Sequence, residues 1–222
     1  MAVQPTRLPQ SLQQFEGRAE FLPIAYGTGF VVREGGYVVT ALHVVRKADA
    51  RKLDIQASAK QVVVCLNAAA GAYECKEVEV VATDDRNDLA ILKIKRPSDA
   101  DTLLPLALTA EEPAHNADVW GAGYPDDSAG KLIVNSGKFS GGDVAKDAAA
   151  RRLWLAEIQV ENGESGGPVL RRDGAVIGVM VTRSDSRAIT GIVPAQQVID
   201  LLARSGVTSS PLRDSRNATA GP

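Results

Sequence analysis

Gly163-Glu164-Ser165-Gly166-Gly167-Pro168 decides how this 222-residue chain is read. Glycines two before and two after Ser165 clear its hydroxyl of neighbouring side chains. Gly163 can take the positive φ that turns backbone N–H groups toward one point. A concavity of amides binds an oxyanion, so the stretch fits a nucleophile beside an oxyanion site. It also fits a plain turn, because Gly, Ser and Pro are the commonest turn formers. The rest of the chain has to separate the two.

A serine hydroxyl needs an imidazole base, and the imidazole needs a carboxylate to fix its tautomer. The chain has two histidines, His43 and His115, and both precede Ser165. The order Ser, acid, His of α/β-hydrolases is therefore excluded. No Asp occurs before His43, which removes the subtilisin order Asp, His, Ser if His43 is the base. The order His, Asp, Ser survives. Asp88 opens an apolar run, Leu89-Ala90-Ile91-Leu92, at the end of an acidic turn containing Asp84 and Asp85. A carboxylate paired with an imidazole is expected to be shielded. The reading therefore predicts Asp88 shielded, with Asp84 and Asp85 exposed.

Gly27-Thr28-Gly29-Phe30-Val31-Val32 and Gly36-Tyr37-Val38-Val39-Thr40-Ala41-Leu42-His43-Val44-Val45 resemble the histidine region of trypsin-like peptidases, above all the bacterial HtrA/Deg branch. Asp84-Asp85-Arg86-Asn87-Asp88-Leu89-Ala90-Ile91-Leu92-Lys93-Ile94 is similar to the segment that carries the acid, and 163–169 to the serine loop. With Gly123-Tyr124-Pro125 and Gly191-Ile192-Val193-Pro194 the resemblance covers about 25–202. It implies a serine endopeptidase with His43 as general base, Asp88 as orienting acid and Ser165 as nucleophile. The amides of Gly163 and Ser165 would form the oxyanion hole. Substrate binding would fall to Gln159, Val160, Glu161 and Asn162 before the serine, to Met180, Val181, Thr182 and Arg183 on a substrate-pairing strand, and to Gly191. No Asp stands where a trypsin-type pocket carries one, so small or medium aliphatic side chains are expected, with Arg183 and Arg187 leaving an acidic preference open. Glu164 departs from the Asn or Asp usual beside the serine. No cleavable N-terminal activation site is present, so activity should need no N-terminal cut. A protease-fold binding module with a collapsed Glu164 loop, silent or gated by a partner, is the alternative, and an esterase of the same fold is a second.

The implied fold is all-β: two six-stranded antiparallel β-barrels of chymotrypsin type and a C-terminal helix. Strand patterns bounded by Gly, Asp, Asn or Pro fall at 29–32, 37–40, 61–66, 74–82 and 90–94, then at 118–121, 131–139, 153–160, 168–170, 175–182 and 189–193. One helical turn is expected at His43, and Val198, Leu201 and Leu202 before Gly206 predict the closing helix at 195–204. The division reads 1–20 as an N-terminal extension, 21–98 as the first barrel, 99–116 as the crossover with His115 on a surface loop, 117–206 as the second barrel and helix, and 207–222 as a tail or linker. A short helix at 11–15 is also expected, and further domains or a regulatory partner could lie beyond the tail.

Net charge is −2, from 25 basic and 27 acidic residues that are scattered along the chain, which argues against nucleic acid or an anionic membrane as partner. No apolar run approaches the length of a membrane span. The start of the chain lacks a basic segment followed by an apolar one, so a cytoplasmic location is expected, or a secreted or periplasmic one if a leader has been removed. Cys65 and Cys75 flank Asn67-Ala68-Ala69-Ala70-Gly71-Ala72, a hairpin loop. Two free, mostly buried thiols are the preferred reading, with a cross-strand bridge as the alternative. No metal, cofactor or nucleotide motif is present.

Overall fold

Alternating apolar residues build two antiparallel units whose shared core lies between them. The computed structural model describes residues 26–46, 62–67, 73–95, 103–126, 128, 130–145, 152–184 and 187–207. The expectations for 1–20, for the helix at 11–15 and for 208–222 lie outside them. The first unit contains β1 (Gly29–Arg33), β2 (Tyr37–Ala41), β3 (Val63–Asn67), β4 (Tyr73–Asp84) and β5 (Leu89–Ile94), in the sheet order β1-β2-β5-β4-β3. The second contains β6 (Asp118–Gly123), β7 (Ile133–Ala145), β8 (Arg152–Glu157), β9 (Pro168–Leu170), β10 (Val176–Ser184) and β11 (Arg187–Pro194), closed into a barrel in the order β10-β11-β8-β7-β6-β9. The all-β, two-unit design is as expected. Among the described residues the first unit shows five strands where six were expected, and residues 47–61, between β2 and β3, are not among them.

β5 explains how the units join. Successive side chains of a strand face opposite ways. Leu89 and Ile91 enter a core that also contains Val176, Val179 and Val193 of the barrel, while Leu92 and Ile94 pack with Val38 inside the first sheet. Both faces of β5 are covered, which is why it reads as a continuous apolar run. A third cluster fills the barrel, where Phe139 and Trp154 meet edge to face at 5.5 Å. The crossover is tied to both units: Leu106 N donates to Val31 O at 2.8 Å and Thr109 N to Val176 O at 2.9 Å. Helix α1 (Leu42–Val45) is the expected single turn at His43, and α2 (Ala195–Arg204) closes the chain with Val198, Leu201 and Leu202 buried against the joint core.

The preferred reading of the cysteines is corrected. The β3–β4 register sets Cys65 directly opposite Cys75, and the two form a disulfide. Directly opposed residues put their side chains on one face, so the pairing follows from the register rather than from composition. Cys65 is exposed and Cys75 only partly buried, so burial of the two is corrected as well.

Candidate active site

His43 sits on α1 immediately after β2, and Asp88 ends the turn between β4 and β5. The paired strands β2 and β5 bring them together. Asp88 holds α1 through three acceptors: its carbonyl oxygen takes Leu42 N at 2.9 Å, Oδ1 takes His43 N at 2.8 Å, and Oδ2 lies 2.7 Å from His43 Nδ1. An ionised carboxylate can only accept, so Nδ1 carries the proton and Nε2 is left as the basic nitrogen. Asp88 reaches this position with φ at +57°, a left-handed conformation that Asp tolerates better than most residues and that costs of order 1 kcal/mol. Its side chain is 15% exposed against 42% for the imidazole, so the carboxylate is shielded and the imidazole is open.

Asp85 is 64% exposed and pairs with Arg46. Asp84 corrects the expectation of exposure. It is 11% exposed and accepts from Asn87 N at 3.0 Å, Asn87 Nδ2 at 2.9 Å and Arg204 Nη2 of α2 at 3.1 Å. Burial works to raise its pKa, but these hydrogen bonds and the Arg204 charge outweigh it and hold the carboxyl below its ordinary 3.8. Asp84 is the anchor that fixes the turn carrying Asp88.

The serine loop is built from backbone. Gly163 has φ +95° and Gly166 φ +89°. A Cβ on Gly163 would collide with Asp126 Oδ1 and with the Tyr124 carbonyl oxygen. A Cβ on Gly166 would run into Thr28 O and Thr40 Oγ1 and come within 2.7 Å of Ala41 N, two residues before His43. Close approach at Gly166 therefore seats the residue after Ser165 on the strand end from which α1 starts. From β10, Met180 O accepts Gly166 N at 2.7 Å, and Met180 N donates to Gly167 O at 2.9 Å.

Two peptides decide what the loop offers. The Asn162–Gly163 peptide has its carbonyl held by Asp126 N at 2.9 Å, and the Glu164–Ser165 peptide has its carbonyl held by Gly167 N at 2.9 Å. In a trans peptide N–H points opposite to C=O. The Gly163 and Ser165 amides therefore point away from these partners, and among the described residues neither donates a hydrogen bond. Thr28, which the sequence reading did not single out, bonds on every side. Its N–H donates to Ser165 O at 2.8 Å, its hydroxyl donates to Gly163 O at 2.8 Å and accepts Tyr124 N at 2.9 Å, and its carbonyl accepts Thr40 Oγ1 at 2.7 Å. Its signal was a buried hydroxyl residue framed by glycines, Gly27-Thr28-Gly29.

Glu164 is 1% exposed, and its Oε2 accepts Glu161 N at 2.6 Å. The carboxylate folds back on its own loop. Gly123 makes room for the longer side chain, since a Cβ there would lie 2.8 Å from Glu164 Cβ. Ser165 itself is partly buried, and among the described residues no hydrogen bond joins it to His43.

The residues assigned to substrate binding separate by strand alternation. Met180 points into the barrel core and Val181 into the joint core, so neither side chain is available to a pocket. Gln159, Glu161 and Asn162 are exposed, with Gln159 Nε2 donating to Glu161 Oε1 at 3.2 Å, whereas Val160 is buried in the barrel cluster. Thr182 pairs with Gly191 across a register shift in β10; the side chains of Thr182 and Arg183 lie outside the described residues. His115 is exposed beside Asn116, as expected of a loop residue.

A histidine and carboxylate carried by one all-β unit, with a glycine-framed serine carried by the other, is the division of labour of trypsin-like serine proteases. Residues 27–179 match the trypsin-like peptidase domain, and the chain belongs to that family. It is 31% identical over 194 residues to a probable periplasmic serine endoprotease DegP-like from Halomonas elongata, covering 82% of this chain and 36% of that protein. It is also 31% identical over 195 residues to the mitochondrial serine protease HTRA2 of Bos taurus, covering 86% and 38%. The chain thus spans little more than a third of these relatives. Among solved structures, the active form of the Rv3671c protease from M. tuberculosis is similar with a TM-score of 0.62 and 28% identity, covering 84% of this chain and 76% of that one.

Proposed function

We propose that this chain is a serine endopeptidase in which Ser165, His43 and Asp88 act in sequence on a peptide bond. Ser165 Oγ attacks the scissile carbonyl carbon while its proton passes to His43 Nε2. The negative charge that develops on the carbonyl oxygen is met by the free Gly163 and Ser165 amides. Collapse of the adduct breaks the C–N bond, the amine leaves with the proton from His43, and water then hydrolyses the acyl-serine by the same route. Asp88 keeps Nδ1 protonated and stabilises the imidazolium. The observation that carries this reading is the grip of Asp88 on both the ring and the main-chain amide of His43.

Catalytic hydrogen bonds are often long before substrate arrives, and substrate binding would close the row from His43 to Ser165. Substrate would be taken as an added strand along Thr182 and Arg183. A preference for small or medium aliphatic side chains before the cut is carried as part of this proposal. The division into units at 21–98 and 117–206 is carried as part of this proposal. The Cys65–Cys75 bridge, with relatives described as periplasmic, supports an oxidising compartment over the cytoplasm expected from the first residues. Among the described residues no helix is long and apolar enough to cross a membrane.

The test is hydrolysis of a fluorogenic peptide library. Turnover by the wild type that falls to background in Ser165→Ala is the expected result. A folded wild type that cleaves no member of the library would favour the binding-module reading.

A further inference from the structure

The Asn162–Gly163 peptide is the weak point of the oxyanion site. Glycine rotates freely about its backbone, so this peptide could turn over and present the Asn162 carbonyl where the Gly163 N–H should be. Among the described residues one hydrogen bond holds the carbonyl away: Asp126 N donates to Asn162 O at 2.9 Å. The Asp126 side chain is in turn bound from outside the loop, with Oδ2 accepting the hydroxyl proton of Tyr26. Tyr26 immediately precedes Gly27-Thr28, and Thr28 is hydrogen-bonded to the carbonyls of Gly163 and Ser165.

We infer that Tyr26 and Asp126 form a latch that holds the Asn162–Gly163 peptide in its oxyanion-binding orientation, so that segment 26–28 and the oxyanion loop act as one unit. This inference rests on the peptidase reading above and names the residues that keep that site ready. Both are positioning residues and touch no reacting atom. Asp126 is held by its amide on Asn162 and its Oδ2 on Tyr26, with its Oδ1 packed where a Cβ of Gly163 would stand. Release of the Tyr26 contact therefore loosens the group that sets the peptide. Burial and the neighbouring Asp126 carboxylate push the Tyr26 hydroxyl well above its usual range, so it remains a donor at neutral and mildly alkaline pH. The latch gives the loop an anchor that no N-terminal cut has to create.

The experiment compares Tyr26→Phe, Asp126→Asn and the double variant with the wild type in full peptide kinetics, together with amide hydrogen exchange at Asp126. Loss of one aligned oxyanion donor costs about 10²–10³ in kcat, and a loosened one should cost about tenfold. Each single variant is expected to lose about tenfold in kcat with KM within about twofold. The double variant should be no slower than the worse single one, because both remove one device. The Asp126 amide should be protected in the wild type and exposed in Tyr26→Phe. A kcat within about twofold of wild type in both single variants, losses that multiply, or unchanged protection would overturn the latch. Tyr26→Phe removes one oxygen from an exposed side chain, so it carries the test alone if Asp126→Asn does not fold. If the wild type hydrolyses no peptide, the peptidase reading fails, and the exchange measurement still decides whether the latch exists.

Discussion

The two halves of the site are made of different material. On the first unit the candidate site rests on side chains: Asp88 reaches His43 through two carboxylate oxygens, and Asp84, Asn87 and Arg204 hold the turn by further side-chain bonds. On the second unit it rests on backbone, because the Gly163 and Ser165 amides are aimed by hydrogen bonds to the carbonyls of Asn162 and Glu164. A side-chain site fails when one atom is changed. A backbone site fails when the chain is no longer free to take its path.

Asp88→Asn should separate these cases most sharply, because it keeps the shape of the corner while reversing the hydrogen-bonding sense toward Nδ1. A kcat about 10⁴-fold lower is expected, with folding intact by thermal melting. A loss under about tenfold would mean that the pair does not orient the base. Gly163→Ala tests the backbone half. Its Cβ meets Asp126 and Tyr124 at a φ of +95°, so kcat should fall by about 10²–10³ and stability by about 1–3 kcal/mol. An alanine variant with unchanged kinetics would show that the loop moves to accommodate it.

Asp84→Asn is expected to have the smallest effect. The folded-state pKa of Asp84 is depressed, so its contribution is present above the unfolded-state value and is lost as the pH falls through the folded one. The stability gap between wild type and variant should be roughly 1 kcal/mol at neutral pH and should narrow below about pH 4, as read from urea melts at several pH values. A gap that widens in acid would contradict the anchor.

The comparison also shows what the sequence could reveal. His43, Asp88 and Ser165 could be proposed together because a chain with two histidines admits few triad orders, and because the apolar run after Asp88 marks β5. The strands of the barrel were legible from alternation. The disulfide was not, since it depends on Cys65 facing Cys75 in register rather than lying one residue away. Burial of Asp84 was hidden too, because Arg204 approaches from 120 residues along the chain. Met180 and Val181 fell within a stretch assigned to substrate, but their side chains alternate into two cores. Thr28 and Asp126 were hidden because their work is done on the backbone of distant residues, which no motif records.

The most direct test of the account is to treat the protein with a fluorophosphonate and map the adduct by peptide mass spectrometry. A single adduct on Ser165, formed by the wild type and lost in His43→Ala, is the predicted result. An adduct on another residue, or equal labelling without the imidazole, would contradict it.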